Sequence, residues 1–180
     1  MNYRFLIFLF TSSFLISCKS PEARKPVKAV SGSYINESVE KNKKWVSEEN
    51  AFIKNIIEKD TLNEYYISEK GFWYYYNNAL PQEVEQADFG DIVEYEYSVK
   101  DIKGNTIYTR EELGKQTYQM DKEELFTGLR EGLKIMKEGE TVTFVFPSYT
   151  AYGYYGDSKK IGTNMPIVST VTVLNIQQIN

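Results

Sequence analysis

Leu125-Phe126-Thr127-Gly128-Leu129-Arg130-Glu131-Gly132-Leu133-Lys134-Ile135-Met136 is the stretch that decides how this chain folds. Leu125, Leu129, Leu133 and Met136 recur at helical spacing, while Gly128 and Gly132 break the pattern and keep the helix short. On either side the period falls to two. Tyr65-Tyr66-Ile67, Phe72-Trp73-Tyr74-Tyr75-Tyr76, Ile92 to Val99, Thr141 to Phe146 and Val168 to Ile176 all read as strands. Asp101-Ile102-Lys103-Gly104 has the chemistry of a hairpin turn. Many antiparallel strands with a single short helix predict an α+β domain whose sheet wraps around that helix.

Toward the N-terminus the period is helical from about Asn36 to Lys59. Val39, Val46, Ile53 and Ile57 recur at sevens and fours, flanked by Trp45, Phe52 and Ile56. Glu37, Lys41, Lys43, Lys44, Glu48 and Glu49 are read on the opposite side, with Asn36 as the N-cap and Asp60-Thr61-Leu62-Asn63 as the stop. Such a helix either packs on the domain or pairs with a second copy. Lys19 to Gly32, with Pro21, Pro26, Ser31 and Gly32, has no apolar period and reads as a flexible tether.

The first residues carry an address. Met1-Asn-Tyr-Arg4 is a short positive start, and Phe5 to Ile16 is apolar except for Thr11, Ser12 and Ser13. That run falls short of the roughly twenty residues a helix needs to span the hydrocarbon, so it fits a signal peptide better than a membrane span. Leu15-Ile16-Ser17-Cys18 looks like a bacterial lipobox, and it holds the one Cys of the chain. Acylation of Cys18 adds about 0.8 kcal/mol of membrane attachment per buried methylene. Loss of Arg4 on cleavage moves the net charge from -4 to -5. Lys19 after the Cys, where an Asp would favour the inner membrane, points to the outer membrane facing the periplasm. The expected organisation is a signal peptide over 1–17, a tether over 18–33, a helical arm over 34–63 and a domain over 64–180 with its core at 90–178.

Composition narrows the chemistry. Among 180 residues there is no His, which removes the usual general base and the commonest metal ligand. A single Cys excludes an internal disulfide framework. Basic and acidic residues alternate without a sustained positive face, which argues against nucleic acid as a partner. What is left is shape, hydrogen bonds, carboxylates, Lys and the 15 Tyr.

Five motifs then fall in a telling order. Gly71-Phe72-Trp73-Tyr74 follows the helical arm; Gly90-Asp91-Ile92-Val93-Glu94-Tyr95-Glu96-Tyr97 follows a Gly-Asp-x-Val-x-x-x-Tyr pattern. Gly128-Leu129-Arg130-Glu131-Gly132-Leu133, with Met136, Gly139 and Glu140, comes next. Pro147-Ser148-Tyr149-Thr150-Ala151-Tyr152-Gly153 with Gly156 is the most specific segment, and Ile161-Gly162-Thr163-Asn164 precedes the last strand. From Gly71 onward this order resembles the FKBP-type peptidyl-prolyl cis-trans isomerases. With the lipobox, tether and long helix added, the chain resembles the gliding-motility-associated isomerase lipoproteins of that family.

The resemblance implies a catalyst that needs no base, cofactor or metal. Rotation about an X-Pro bond faces a barrier near 20 kcal/mol, and a dry cup lowers it by favouring the twisted, less polar amide. It implies pocket roles for Tyr97, the Phe126 backbone N–H and the Tyr152 hydroxyl, with Leu125, Ile107, Tyr108 and Ile161 as walls and Leu129 as the floor. The family's pattern is not kept throughout. Leu129 stands where the family has Trp, Ile107-Tyr108 replaces a Phe-Asp pair and removes its carboxylate, and Gln116 and Ser169 fall where pocket Phe residues are usual. A wider and more polar cup is expected. Two functions follow: a periplasm-facing isomerase that assists exported or outer-membrane proteins by acting on proline-containing clients, or a non-catalytic scaffold of a surface machine.

Two other clusters have plainer readings. Asp121 to Glu124 with Glu131 suggest a metal site less than a solvated, acidic helix start. Tyr149, Tyr152, Tyr154 and Tyr155 are able to stack on a sugar or an aromatic partner, but in an FKBP-like fold that loop overhangs the pocket.

Overall fold

The computed structural model of the chain describes residues 31–80 and 85–179. The signal peptide, the lipobox and Cys18 lie outside those residues. The chain divides into two units between Ser38 and Val39. Every strand among the described residues lies in the second.

Its spine is β3 (Ile92–Asp101), in which Val93, Tyr95, Tyr97 and Val99 alternate inward. That alternation is the period-two burial of a strand with one face on a core. β3 pairs antiparallel with β7 (Ile167–Gln177) over its whole length, and β7 pairs with β6 (Thr141–Phe146). β6 pairs with β2 (Trp73–Asn78), and β2 with the two-residue edge strand β1 (Tyr66–Ile67). On its other edge β3 is shared: β4 (Thr106–Tyr108) takes one end and β5 (Gln116–Gln119) the other. The capped turn of helix α2 (Arg110–Leu113) joins them, Thr109 accepting from the Glu112 N–H while Glu112 reaches back. The result is a seven-stranded antiparallel sheet with the order β1-β2-β6-β7-β3-β4.

Across the concave face lies α3 (Thr127–Lys134), the expected short helix. Leu129 and Leu133 are fully buried in it, while Leu125 precedes the helix and Met136 follows it. Gly128 and Gly132 are not breakers. They bring the helix down onto β6: a Cβ at Gly128 would lie 2.5 Å from the Phe146 ring, and one at Gly132 3.0 Å from Phe144. Phe144 and Phe146 are stacked with centroids 5.2 Å apart, and Phe72 meets both edge-on. The acidic run Asp121 to Glu124 is not the start of this helix, as expected, but a turn ahead of it, because α3 begins only at Thr127. There Asp121 reaches forward to Lys134 at 2.9 Å and Arg130 at 3.7 Å, and Glu131 faces the same two cations.

α1 (Ser31–Ile57) is longer than expected. It begins inside the stretch read as tether, and Asn36 lies within it rather than at its cap, since a nucleated helix gains one hydrogen bond per added residue until something stops it. Its stop is as expected: the Asp60 carboxylate accepts from the Leu62 N–H, the Asn63 amide and the Tyr65 hydroxyl. From Val39 on, α1 packs on the sheet body. Ile53 is fully buried, and Ile56 and Ile57 share a small cavity of about 170 Å³ with Thr143, Val145 and Val168 on the convex face. The packed side differs from the expected one in three places. Val39 and Phe52 are exposed, and Glu49, read as solvated, is buried at 8% exposure. Glu49 sits one turn before Ile53, so helical geometry carries it inward despite its charge, and Ser148 is there to receive it.

Candidate active site

Three elements converge at the C-terminal end of β3: that strand, the segment leading into α3, and the long loop between β6 and β7. Tyr97 is an inward residue of β3 and is 9% exposed. Phe126 is the residue before α3, in extended conformation, and its carbonyl already accepts from the Arg130 N–H at 3.1 Å. Tyr152 comes from the β6–β7 loop. Its ring lies 4.9 Å from that of Phe126, and its hydroxyl is near enough to that of Tyr97 for the two to influence each other. The three residues named first from the sequence thus meet in space.

The loop carrying Tyr152 is anchored at its base. Ser148, fully buried, donates its backbone N–H and its hydroxyl to the Glu49 carboxylate, each at 3.2 Å. The Tyr149 hydroxyl donates to the Gly71 carbonyl at 3.2 Å and lies 3.4 Å from the Asn50 side chain. Burial pushes the Glu49 carboxyl above its ordinary range, opposed by the two Ser148 hydrogen bonds. The four loop tyrosines therefore part company. Tyr149 serves the anchor, Tyr152 the site, and Tyr154 and Tyr155 stand exposed, edge-on to each other at 5.5 Å.

The walls fall as follows. Ile107 and Tyr108, on β4, are half-buried and packed against the core, and so is Leu125. Leu129 and Ile161 are buried, at 0% and 3% exposure, and belong to the packed layer beneath the opening. A groove of about 450 Å³ runs along Leu125, Phe126 and Tyr152, edged by Glu123, Glu124 and Arg130. The polar departures turn inward. Gln116 donates to the Leu113 carbonyl at 2.6 Å, and buried Ser169 donates to the Ser98 carbonyl at 3.0 Å. Both polar groups are taken up by backbone.

Besides Glu49 at the loop's base, sequence reasoning missed a residue of the walls. Ile107-Tyr108 removes a carboxylate from β4, yet the structure restores one from the loop: the Tyr108 hydroxyl donates to Asp157. Asp157 also accepts the N–H groups of Lys159 at 2.9 Å and Ile161 at 2.8 Å. Burial acts against its charge, but the Tyr108 hydroxyl and these N–H groups prevail and hold its carboxyl below the ordinary range. Lys160 clasps the same wall, with Nζ 3.1 Å from the Ile107 carbonyl, 2.7 Å from Glu112 and 4.7 Å above the Tyr108 ring. The only signal in the sequence was Gly156-Asp157-Ser158, which has turn chemistry and names no partner.

All three phenols are neutral at physiological pH. Burial raises Tyr97 and Tyr152, and the bond to Asp157 raises Tyr108. The site is thus an open groove along an aromatic pair, with neutral hydroxyls above a buried apolar layer, suited to hold a peptide carbonyl.

Comparison with known proteins gives the same direction. The family described as FKBP-type peptidyl-prolyl cis-trans isomerase matches residues 83–174, more than half of the chain. The chain belongs to this family. Over 94 residues it is 32% identical to a probable FKBP-type peptidyl-prolyl cis-trans isomerase, FkpA, of Neisseria meningitidis serogroup B. That match covers 52% of this chain and 34% of the relative, so the chain spans about a third of that relative's length. Among solved FKBP-like structures, FkpA from Escherichia coli superimposes with a TM-score of 0.60 at 22% identity, covering 98% of this chain and 83% of that one. A peptidyl-prolyl cis-trans isomerase from Pseudomonas syringae pv. tomato gives 0.59 at 21% identity, covering 74% and 93%. At that identity the two structures speak for the fold, which is the α+β arrangement expected from the sequence. The match at 83–174 takes in every expected site residue except Cys18.

Proposed function

We propose that the protein is a peptidyl-prolyl cis-trans isomerase that acts on proline-containing segments of exported or outer-membrane proteins, held in the cell envelope by acylated Cys18. The observation that carries the isomerase reading is the meeting of Tyr97, Phe126 and Tyr152 above a buried apolar layer. A prolyl ring seated there leaves water, while the Tyr152 hydroxyl donates to a peptide carbonyl. The planar amide loses the solvation that stabilises it, and the twisted amide, with its less polar carbonyl, does not. No base takes part.

The lipobox order Leu15 to Cys18 supports the lipid anchor and Lys19 the outer-membrane address, facing the periplasm. The tether and long helix support a link to gliding motility. Val39 and Phe52, exposed on α1 at 43% and 50%, support dimerisation through that helix. A scaffold without catalysis is the second reading, favoured by Leu129 and Ser169 at floor and pocket positions, where smaller side chains leave fewer contacts for a prolyl ring.

The test is isomerisation of a short Xaa-Pro peptide by the purified protein. Acceleration over the uncatalysed relaxation of tens to hundreds of seconds is expected, and Tyr152→Phe lowers it while the protein stays folded. No acceleration leaves the scaffold. For the anchor, mass spectrometry of protein from the native membrane finds Cys18 as an acylated first residue, and an intact Met1 refutes it.

A further inference from the structure

Asp157 has one carboxylate and three partners in two parts of the chain. Its Oδ1 gathers the N–H groups of Lys159 and Ile161, which shapes the loop around itself. Its Oδ2 takes the hydroxyl of Tyr108, 49 residues away on β4. The first pair of bonds is local and would serve any turn. The third joins the loop that carries Tyr152 and Ile161 to the strand that carries Ile107 and Tyr108. Asp157 also lies close enough to both Tyr97 and Tyr152 for its charge to act on their hydroxyls.

The joint spans the opening between two walls. On one side stands β4, only three residues long and paired with β3 at Val99 and Lys100 alone, so its backbone holds it weakly. On the other side is a loop with no strand partner between Tyr152 and Ile161. Lys160 adds a second strap, but its ammonium is exposed and shared with Glu112, where an ion pair contributes little. The Tyr108–Asp157 bond joins side chains of the two walls directly, whereas Lys160 meets β4 only at the Ile107 carbonyl, at 3.1 Å.

We propose that Asp157 is a positioning residue: by holding the Tyr108 hydroxyl it sets the distance between β4 and the Tyr152 loop, and so how tightly a prolyl segment is held. The proposal rests on the isomerase reading for the identity of the segment. It assigns Asp157 to binding and not to the rotation itself, because a fixed width acts on planar and twisted amide alike, and uniform binding leaves kcat unchanged.

The experiment measures kcat and KM for a short Xaa-Pro peptide, and in parallel the Kd of that peptide by NMR titration, with Asp157→Asn, Tyr108→Phe and the double variant. Asn keeps an oxygen for the Lys159 and Ile161 N–H groups, so the loop still folds, but it turns an NH₂ toward Tyr108 that cannot accept the hydroxyl proton. Each single variant is expected to raise KM and Kd about five-fold with kcat within two-fold. The double variant is expected to be no worse than the worse single, since both remove one bond. A wild-type KM and Kd in Asp157→Asn, single effects that multiply in the double, or a fall in kcat with KM intact each overturn the proposal. The titration separates it from the isomerase reading: no catalysis with a Kd that still follows the variants removes that reading and keeps the joint. A peptide that binds neither wild type nor variants removes both.

Discussion

Replacing Glu49 tests whether α1 is part of the site-bearing body or merely lies beside it. Its carboxylate is 8% exposed and accepts two hydrogen bonds from Ser148, itself fully buried at the foot of the loop that carries Tyr152. At 3.2 Å the N–H bond lies at the long end of its normal range and the hydroxyl bond just beyond it, so each is credited with no more than about 1.5 kcal/mol, the low end for a charged partner. Glu49→Ala removes both and strands two buried donors, and a loss of about 3 kcal/mol is expected. Glu49→Gln keeps an oxygen for the N–H and offers an NH₂ to the Ser148 hydroxyl oxygen, without a buried charge, so it changes stability by no more than about 1 kcal/mol. The pH dependence carries a sign. Burial raises the Glu49 pKa in the fold, so its contribution is fully present below the unfolded value of about 4.3 and is lost as pH rises through the folded value. Wild type therefore loses ground to Glu49→Gln between pH 4 and pH 7. Urea unfolding of the three proteins at both pH values reads this directly. If Gln proves as damaging as Ala at pH 7, the charge itself holds the loop and the burial reasoning is wrong. If Ala costs nothing, α1 is not docked on Ser148.

Three glycines give further tests. Gly128→Ala places a methyl 2.5 Å from Phe146 Cδ1 and 2.9 Å from the Thr150 carbonyl, so denaturant midpoints should show a loss of about 2 kcal/mol despite the helix propensity gained; Gly132→Ala, with its nearest contact at 3.0 Å, should lose less, and the reverse order refutes the packing of α3 on β6. Gly156 has φ +65 and its Cβ would meet the Ile161 carbonyl at 2.1 Å, so Gly156→Ala should raise amide hydrogen exchange over 157–162 and the KM for an Xaa-Pro peptide, and unchanged exchange would refute the claim that this loop is tightly folded.

The parts of the fold that could be read in advance are those in which burial repeats with a period. β3 announces itself because Val93, Tyr95, Tyr97 and Val99 face in while Glu94 and Glu96 face out, and the Leu129–Leu133 pair does the same for α3. β4 and β5 have no such period. Gln116-Thr117-Tyr118-Gln119 buries only Tyr118, and three residues at Thr106–Tyr108 are too few to show alternation. Both are strands because β3 offers them an open edge, a cause that lies in another segment of the chain.

The same distinction divides the site. Tyr97, Phe126 and Tyr152 were recognisable from the motif order, and their meeting needed only the fold. Glu49 and Asp157 were not, because a carboxylate read alone looks solvated. Each is drawn inward by a hydroxyl far along the chain, Ser148 at 99 residues and Tyr108 at 49. These two carboxylates hold the loop on either side of Tyr152, Glu49 at its foot through Ser148 and Asp157 at the far wall through Tyr108. A segment without strand partners can place an aromatic hydroxyl only if something fixes both of its ends, since each unfixed residue keeps backbone freedom worth about 1–2 kcal/mol. The two charges thus act on the site through the stiffness of the loop, which is why damage to either should reach Tyr152 without touching it.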